Sequence, residues 1–303
     1  MQRALWLVPL LLLPATLAFG ANYTVGIGDD CSSADICFYP TPLAIQVGDN
    51  VTFYVYNSNT FTGPHNVVAD DGSFRCASGC DGEGGDGSPR QFPQWSFTRS
   101  FNTPGTFAYH DEVSLAKGVL VVQEPGTPAE LQTAYEYIHG FPWDHVSVSS
   151  YFVTSNPDEI AMLFGGAFDG KWRGTLETFL VWRGSASGAL PTCRFFDRDL
   201  GGHFYTPYAA ECSALQAQER WQYEGIAFYL QVPDESGNCP DGTTILFRLY
   251  NQSIYPPPSY AGTHTSAPLH RYTTSAATFN RMRAAGWVAE GDDRKSAFAC
   301  VPF

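Results

Sequence analysis

The 303-residue chain sets 17 Lys and Arg against 30 Asp and Glu, a formal charge of −13. With no basic cluster to release counterions, this balance excludes phosphate-backbone binding and speaks against docking to an anionic membrane surface. Acidity of this kind serves solubility first and a docking face for a basic partner second.

Arg3 is followed by an apolar run from Ala4 to Leu13 and then by small residues through Ala18, Gly20 and Ala21. That order predicts a signal peptide over residues 1–20, too short to span a bilayer, and hence export to the periplasm or outside the cell. No second run of about 18 apolar residues follows, so no membrane span is expected. The remaining chain of about 280 residues suits two domains.

Eight cysteines in an exported chain read as disulfides. In the second half the spacing favours Cys193 with Cys212 and Cys239 with Cys300, each tying a repeat to itself. In the first half Cys31, Cys37, Cys76 and Cys80 leave the pairing open. Cys76-x-x-x-Cys80 has the form of half a zinc site, but no matching His/Cys pair surrounds it.

From Tyr23 to Gln123 short apolar runs alternate, bounded by Gly, Pro, Asn and Asp, which predicts an antiparallel β-sandwich. Leu43, Ile45 and Val47 share one face of a strand, as do Val51, Phe53 and Val55 after the turn Gly48-Asp49-Asn50. The acidic, Gly-rich stretch Cys80–Gly87 matches no EF-hand spacing and reads as an exposed, disulfide-tied loop, with calcium the alternative.

Within this half, Phe38-Tyr39-Pro40-Thr41-Pro42, Leu43–Phe53, Gly63-Pro64-His65-Asn66-Val67-Val68, Phe101–His110 and Gly118–Val122 follow one another in the order and spacing of a cupredoxin. Residues 21–124 thus resemble the plastocyanin/azurin-like blue-copper family. The resemblance implies a Greek-key sandwich and a copper site with ligands at His65, at a Cys where Asp111 stands, at a His where Ser114 stands, and at a Met near Ala116. Of these only His65 is present. Blue copper needs the thiolate and two imidazoles, so the sequence predicts a degenerate site. His65 and Asp111 remain as a two-ligand remnant for copper or as a simple hydrogen-bonded pair. His110, adjacent to Asp111 in a strand, should point to the opposite face.

Residues 125–144, opening on Pro125-Gly126-Thr127-Pro128, read as a linker. Beyond it lies an internal repeat over residues 145–303. One copy runs Ser150-Tyr151-Phe152-Val153-Thr154, then Glu159, Trp172 and Phe179. A second runs His203-Phe204-Tyr205-Thr206, then Glu211, Trp221, Glu224-Gly225 and Phe228. The third runs His270-Arg271-Tyr272-Thr273, then Thr278, Trp287, Glu290-Gly291 and Phe298. In the first copy Ser149 and Ser150 fall in the His region and Thr175 near the Glu-Gly position. Arg194 and Arg248 introduce the second and third copies. Each unit predicts strands around one short helix, the first opening on Asn156 as N-cap with Pro157 next and Ile160, Leu163 and Phe164 as its apolar stripe. One unit cannot bury its aromatics alone, so three should close with pseudo-threefold symmetry. This pattern resembles an uncharacterised accessory repeat of secreted bacterial proteins.

The sequence therefore predicts a mainly β, two-domain, exported and non-enzymatic binding protein, with an envelope or extracellular protein or a glycan as partner. No cofactor is expected, copper being the alternative. The rival readings are a copper protein and a hydrolase using His203, His270, Glu211, Glu224 or Glu290. Repetition of those residues argues for packing, and no Gly-x-Ser-x-Gly, His-Glu-x-x-His or phosphate-loop motif is present.

Overall fold

The computed structural model describes residues 20–28, 36–55, 63–90, 95–126, 130–139, 150–185, 188–199, 201–251, 269–291 and 295–303. Residues 1–19 of the expected leader, Cys31 and Ser149 lie outside them.

Ten strands build the first half: β1 (Asn22–Gly28), β2 (Cys37–Tyr39), β3 (Leu43–Gln46), β4 (Asn50–Val55), β5 (Val67–Ala69), β6 (Arg75–Ala77), β7 (Gly79–Cys80), β8 (Ser96–Ser100), β9 (Gly105–His110) and β10 (Lys117–Gln123). They form two sheets ordered β2-β1-β4-β8 and β3-β10-β9-β5-β6-β7. The expectation of a purely antiparallel sandwich needs correction, because β1 pairs with β4 and β3 with β10 in parallel. Such pairs need a crossover. β2 and β3 intervene between the first pair and β4 to β9 between the second, and the turn after β3 carries the chain from one sheet to the other. Both alternating faces therefore point into one core, with Leu43, Ile45, Val51 and Phe53 at most 1% exposed. Tyr109 fills the centre, edge-on to Phe38 and Phe53. Gly118 makes room for its ring, since a Cβ there would fall 2.3 Å from it.

The second half comprises β11 (Leu131–His139), β12 (Ser150–Thr154), α1 (Pro157–Phe164), β13 (Trp172–Trp182), β14 (Leu190–Asp197), β15 (His203–Thr206), α2 (Ala209–Gln216), β16 (Trp221–Leu230), β17 (Thr243–Tyr250), β18 (His270–Thr273), α3 (Ala276–Ala284), β19 (Val288–Ala289) and β20 (Ala299–Pro302). β11 lies inside the stretch expected as a linker and pairs with both β12 and β13. Its Tyr135, Tyr137 and Ala134 are core residues, so their apolar side chains had no reason to stay in a solvated tether. α1 begins as expected, with Asn156 accepting from the Asp158 amide at 2.9 Å. Phe164 departs from the expected stripe: it is 68% exposed, while Leu163 is buried.

Contacts repeat around the centre of this half. Arg194, Arg248 and Glu136 occupy equivalent register positions, opposite Tyr205, Tyr272 and Val153. The ring of Phe152 meets His203 at 4.7 Å and that of Phe204 meets His270 at 4.8 Å. The third equivalent contact is the Arg271 guanidinium over Tyr151 at 4.9 Å. Tyr151, rather than the serines before it, therefore holds the His position in the first copy. Between copies, Arg194 grips Glu159 at 2.8 and 2.9 Å and Arg248 grips Glu211 at 3.0 and 3.1 Å. At the closing junction the charges swap: Glu136, fully buried, accepts from Arg271 at 2.8–3.2 Å and from Thr175 at 2.6 Å. Tyr205 and Tyr272 hydroxyls bond the backbone of the preceding copy. Val153 has no hydroxyl to complete that ring.

Disulfides join Cys193 to Cys212, Cys239 to Cys300 and Cys76 to Cys80. Cys37 is also disulfide-bonded. The halves meet along β3 and β11, where Thr133 Oγ1 accepts from the Ala44 amide at 2.8 Å and Thr178 Oγ1 donates to the Thr41 carbonyl at 2.7 Å.

Candidate functional site

The place where the sequence expects a metal remnant is built by three segments. His65 precedes β5 and is clamped by paired backbone hydrogen bonds to Arg90. Its carbonyl accepts the Trp95 indole N–H at 3.0 Å. Asp111 follows β9 and starts a tight turn in which its own amide and carbonyl bond Ala116 and Leu115. The register of β5 against β9 sets Val68 opposite His110, which brings Asn66 beside Asp111 and Glu112.

His65 Nδ1 and Asp111 Oδ2 lie 2.7 Å apart, with 3% and 0% of their surfaces exposed. Asp111 Oδ2 also accepts from Ser114 N at 2.7 Å and Ser114 Oγ at 2.5 Å, and Oδ1 accepts from Asn66 N at 2.9 Å. Burial alone would raise the Asp111 carboxyl. The hydrogen bonds from His65, Ser114 and Asn66 outweigh it and hold the group below the usual carboxylate range. Asn66 extends the network to Gly87 O and Glu112, and Glu112 pairs with Arg75 at 2.8 Å. His110 points elsewhere, to Asp70 at 2.5 Å.

The residues do not fit a copper ion of the blue type. Both carboxylate oxygens of Asp111 are already spent on protein donors. The Ser114 hydroxyl donates inward rather than offering a ligand, and Ala116 carries no sulfur. A metal replacing these partners would have to break the turn that Asp111 caps. Among the described residues no group of three or more His, Cys, Asp or Glu is arranged to hold a metal.

The residues weighed for hydrolysis sit at the junctions between repeats. Glu224 lies 3.0 Å from Arg194 Nε and 3.7 Å from His203; Glu290 lies 3.1 Å from both Arg248 Nε and His270. Glu211 is held by Arg248. Burial and the neighbouring Arg194 push His203 down to about 3, which keeps it neutral at ordinary pH. Trp172 packs on Phe152 and His139, Trp221 on Phe204, and Trp287 on Tyr151. Sequence reasoning missed Glu136 and Glu177. Glu177 accepts from Thr273 at 3.1 Å and Thr278 at 2.8 Å. The signal was available in the loss of the Arg and helix-Glu markers from the first and third copies.

The molecule is thus a two-part, mainly β protein with a hydrogen-bonded His–Asp knot in its first sandwich. Residues 146–294 match a family model described only as a domain of unknown function, DUF5648. No curated protein matches the chain. Among solved structures, the chain is similar to a mutant plastocyanin of fern, at 25% identity over 33% of this chain and 98% of that one, with a TM-score of 0.25. It is also similar to a pseudoazurin from Sinorhizobium meliloti, at 22% identity over 35% and 76% of the two chains, with a TM-score of 0.23. The reduced Cu(I) form of an amicyanin mutant is 27% identical over 36% and 87%, with a TM-score of 0.22.

Proposed function

We propose that this is an exported, non-catalytic binding protein in which a cupredoxin-like sandwich has given up copper redox chemistry. The first sandwich acts as a rigid platform, and the repeat half presents a surface to an envelope or extracellular protein or glycan. The observation that carries this reading is the saturation of Asp111: four donors occupy the carboxylate that stands where a thiolate would be needed. Arginine engages the carboxylates Glu159, Glu211, Glu224 and Glu290 of the repeat half. That pairing supports a structural role for them over acid/base work.

The test is titration of the purified mature protein with Cu(II), followed by calorimetry and optical spectroscopy, with His65→Ala and Asp111→Ala in parallel. The expected result is binding no tighter than that of His65→Ala and no intense charge-transfer band. Tight one-to-one binding abolished in both variants would replace this reading with a copper protein of unusual ligand set.

A further inference from the structure

Asp49 is a buried carboxylate in the turn between β3 and β4, with 5% of its surface exposed. Its Oδ2 accepts the Gln46 amide at 2.7 Å and its Oδ1 the Ala21 backbone N–H at 2.6 Å. Among the described residues no Lys, Arg or His pairs with it. The cation lining the same cavity, Arg183, is taken by Glu130 at 2.8 Å. A carboxylate left so is costly unless a positive charge joins it.

Ala21 is the residue that follows Ala18-Phe19-Gly20, with small side chains at the positions a leader peptidase reads. We infer that the chain is cleaved between Gly20 and Ala21 and that the α-ammonium so created is the counter-ion of Asp49. Hydrolysis adds one water across the Gly20–Ala21 amide. The leader departs with the Gly20 carboxylate, and the Ala21 nitrogen, protonated at neutral pH, becomes the ammonium. It forms where the donor already stands, because Asn50 N holds Ala21 O at 2.9 Å and β1 runs in register along β4. Gly20 passes close to the β3–β4 turn: a Cβ there would fall 1.9 Å from the Gly48 carbonyl oxygen, so glycine suits the residue before Ala21. The other ionisable groups around the site are Tyr23, raised by burial and by Asp49 and Glu130, and the Glu130–Arg183 pair.

This inference rests on the export reading, and the experiment separates the two. The full chain is expressed in a secreting bacterial host and the exported protein is examined by intact mass and N-terminal sequencing. A start at Ala21 supports the inference; an exported chain starting elsewhere overturns it while export stands. A chain retained inside with residue 1 intact overturns both. The ion pair is then read from the rate at which the α-amine reacts with an acylating reagent near neutral pH. The Ala21 amine should react roughly tenfold more slowly than the terminal amine of a chain carrying one added glycine, because pairing with a carboxylate raises an amine's pKa. Asp49→Asn should remove the difference. Equal rates in the Ala21 chain and the glycine-extended chain would overturn the ion pair, and that comparison does not depend on the folding of Asp49→Asn.

Discussion

Replacing Asp111 with alanine removes an acceptor on which four donors converge, at 2.5–2.9 Å. Two of those donors, the His65 ring and the Asn66 amide, belong to buried residues and have no route to water. Each buried donor left unsatisfied costs about 1–3 kcal/mol. The Ser114 donors are partly exposed and rehydrate at smaller cost. The expected loss is therefore about 3–5 kcal/mol, a large fraction of the stability of a domain this size. Asp111→Asn keeps one acceptor oxygen and should lose less. Trp95 reports the event directly, since its indole donates to the His65 carbonyl, so urea unfolding followed by tryptophan fluorescence is the assay. A loss under about 0.5 kcal/mol for the alanine variant, the size of an ordinary surface substitution, would refute the knot as the reason Asp111 stands here. A free carboxylate awaiting a ligand would then be the better account.

Acid should find the same weakness. Because the folded Asp111 carboxyl is held below its ordinary value, its stabilisation is complete above about pH 5 and falls away as pH drops through the unfolded value of ~3.9 towards the folded one; thermal melts of wild type and Asp111→Asn should converge over that window. In the repeat half, Arg271→Met leaves Glu136 buried without its partner and should cost about 3–5 kcal/mol, much of which the double variant with Glu136→Gln recovers, as read by differential scanning calorimetry. Serine at both Cys239 and Cys300 opens a cross-link spanning 61 positions and should lower stability by about 4 kcal/mol in denaturant titration. His203, pushed down to about 3, should show a flat imidazole NMR shift from pH 5 to 8, and a titration midpoint inside that range would contradict the burial assigned to it.

Much of this architecture is legible in the chain. The alternation Leu43-x-Ile45 and Val51-x-Phe53 reads as strand because every second side chain must find a core. An aromatic-rich strand ending in Thr and followed by a Trp recurs at Thr154/Trp172, Thr206/Trp221 and Thr273/Trp287, which is the pattern that suggests related units. Asn156-Pro157 marks a helix start through backbone geometry and an N-cap oxygen. Where the reading stopped short, the deciding partner was remote. β11 looked like tether because its sheet neighbours lie on either side in space, from 150 to 182. Glu136 had no visible reason to be acidic until Arg271 appeared 135 residues away.

The sequence by itself determined what the first sandwich lacks. At the positions where the resemblance to blue-copper proteins implies a Cys, a second His and a Met, the chain carries Asp111, Ser114 and Ala116, and folding cannot change which side chains stand there. It also favoured the pairing of Cys193 with Cys212 and of Cys239 with Cys300, which the structure shows. Only the tertiary structure decided that Asp111 is spent and not vacant, because hydrogen bonds from Asn66 and His65 come from a segment some 45 residues away. It likewise decided that Arg271 pairs with Glu136, and that Asp49 accepts the Ala21 amide. In each case a one-dimensional pattern records which groups are present, while burial and the geometry of distant strands fix which of them are paired.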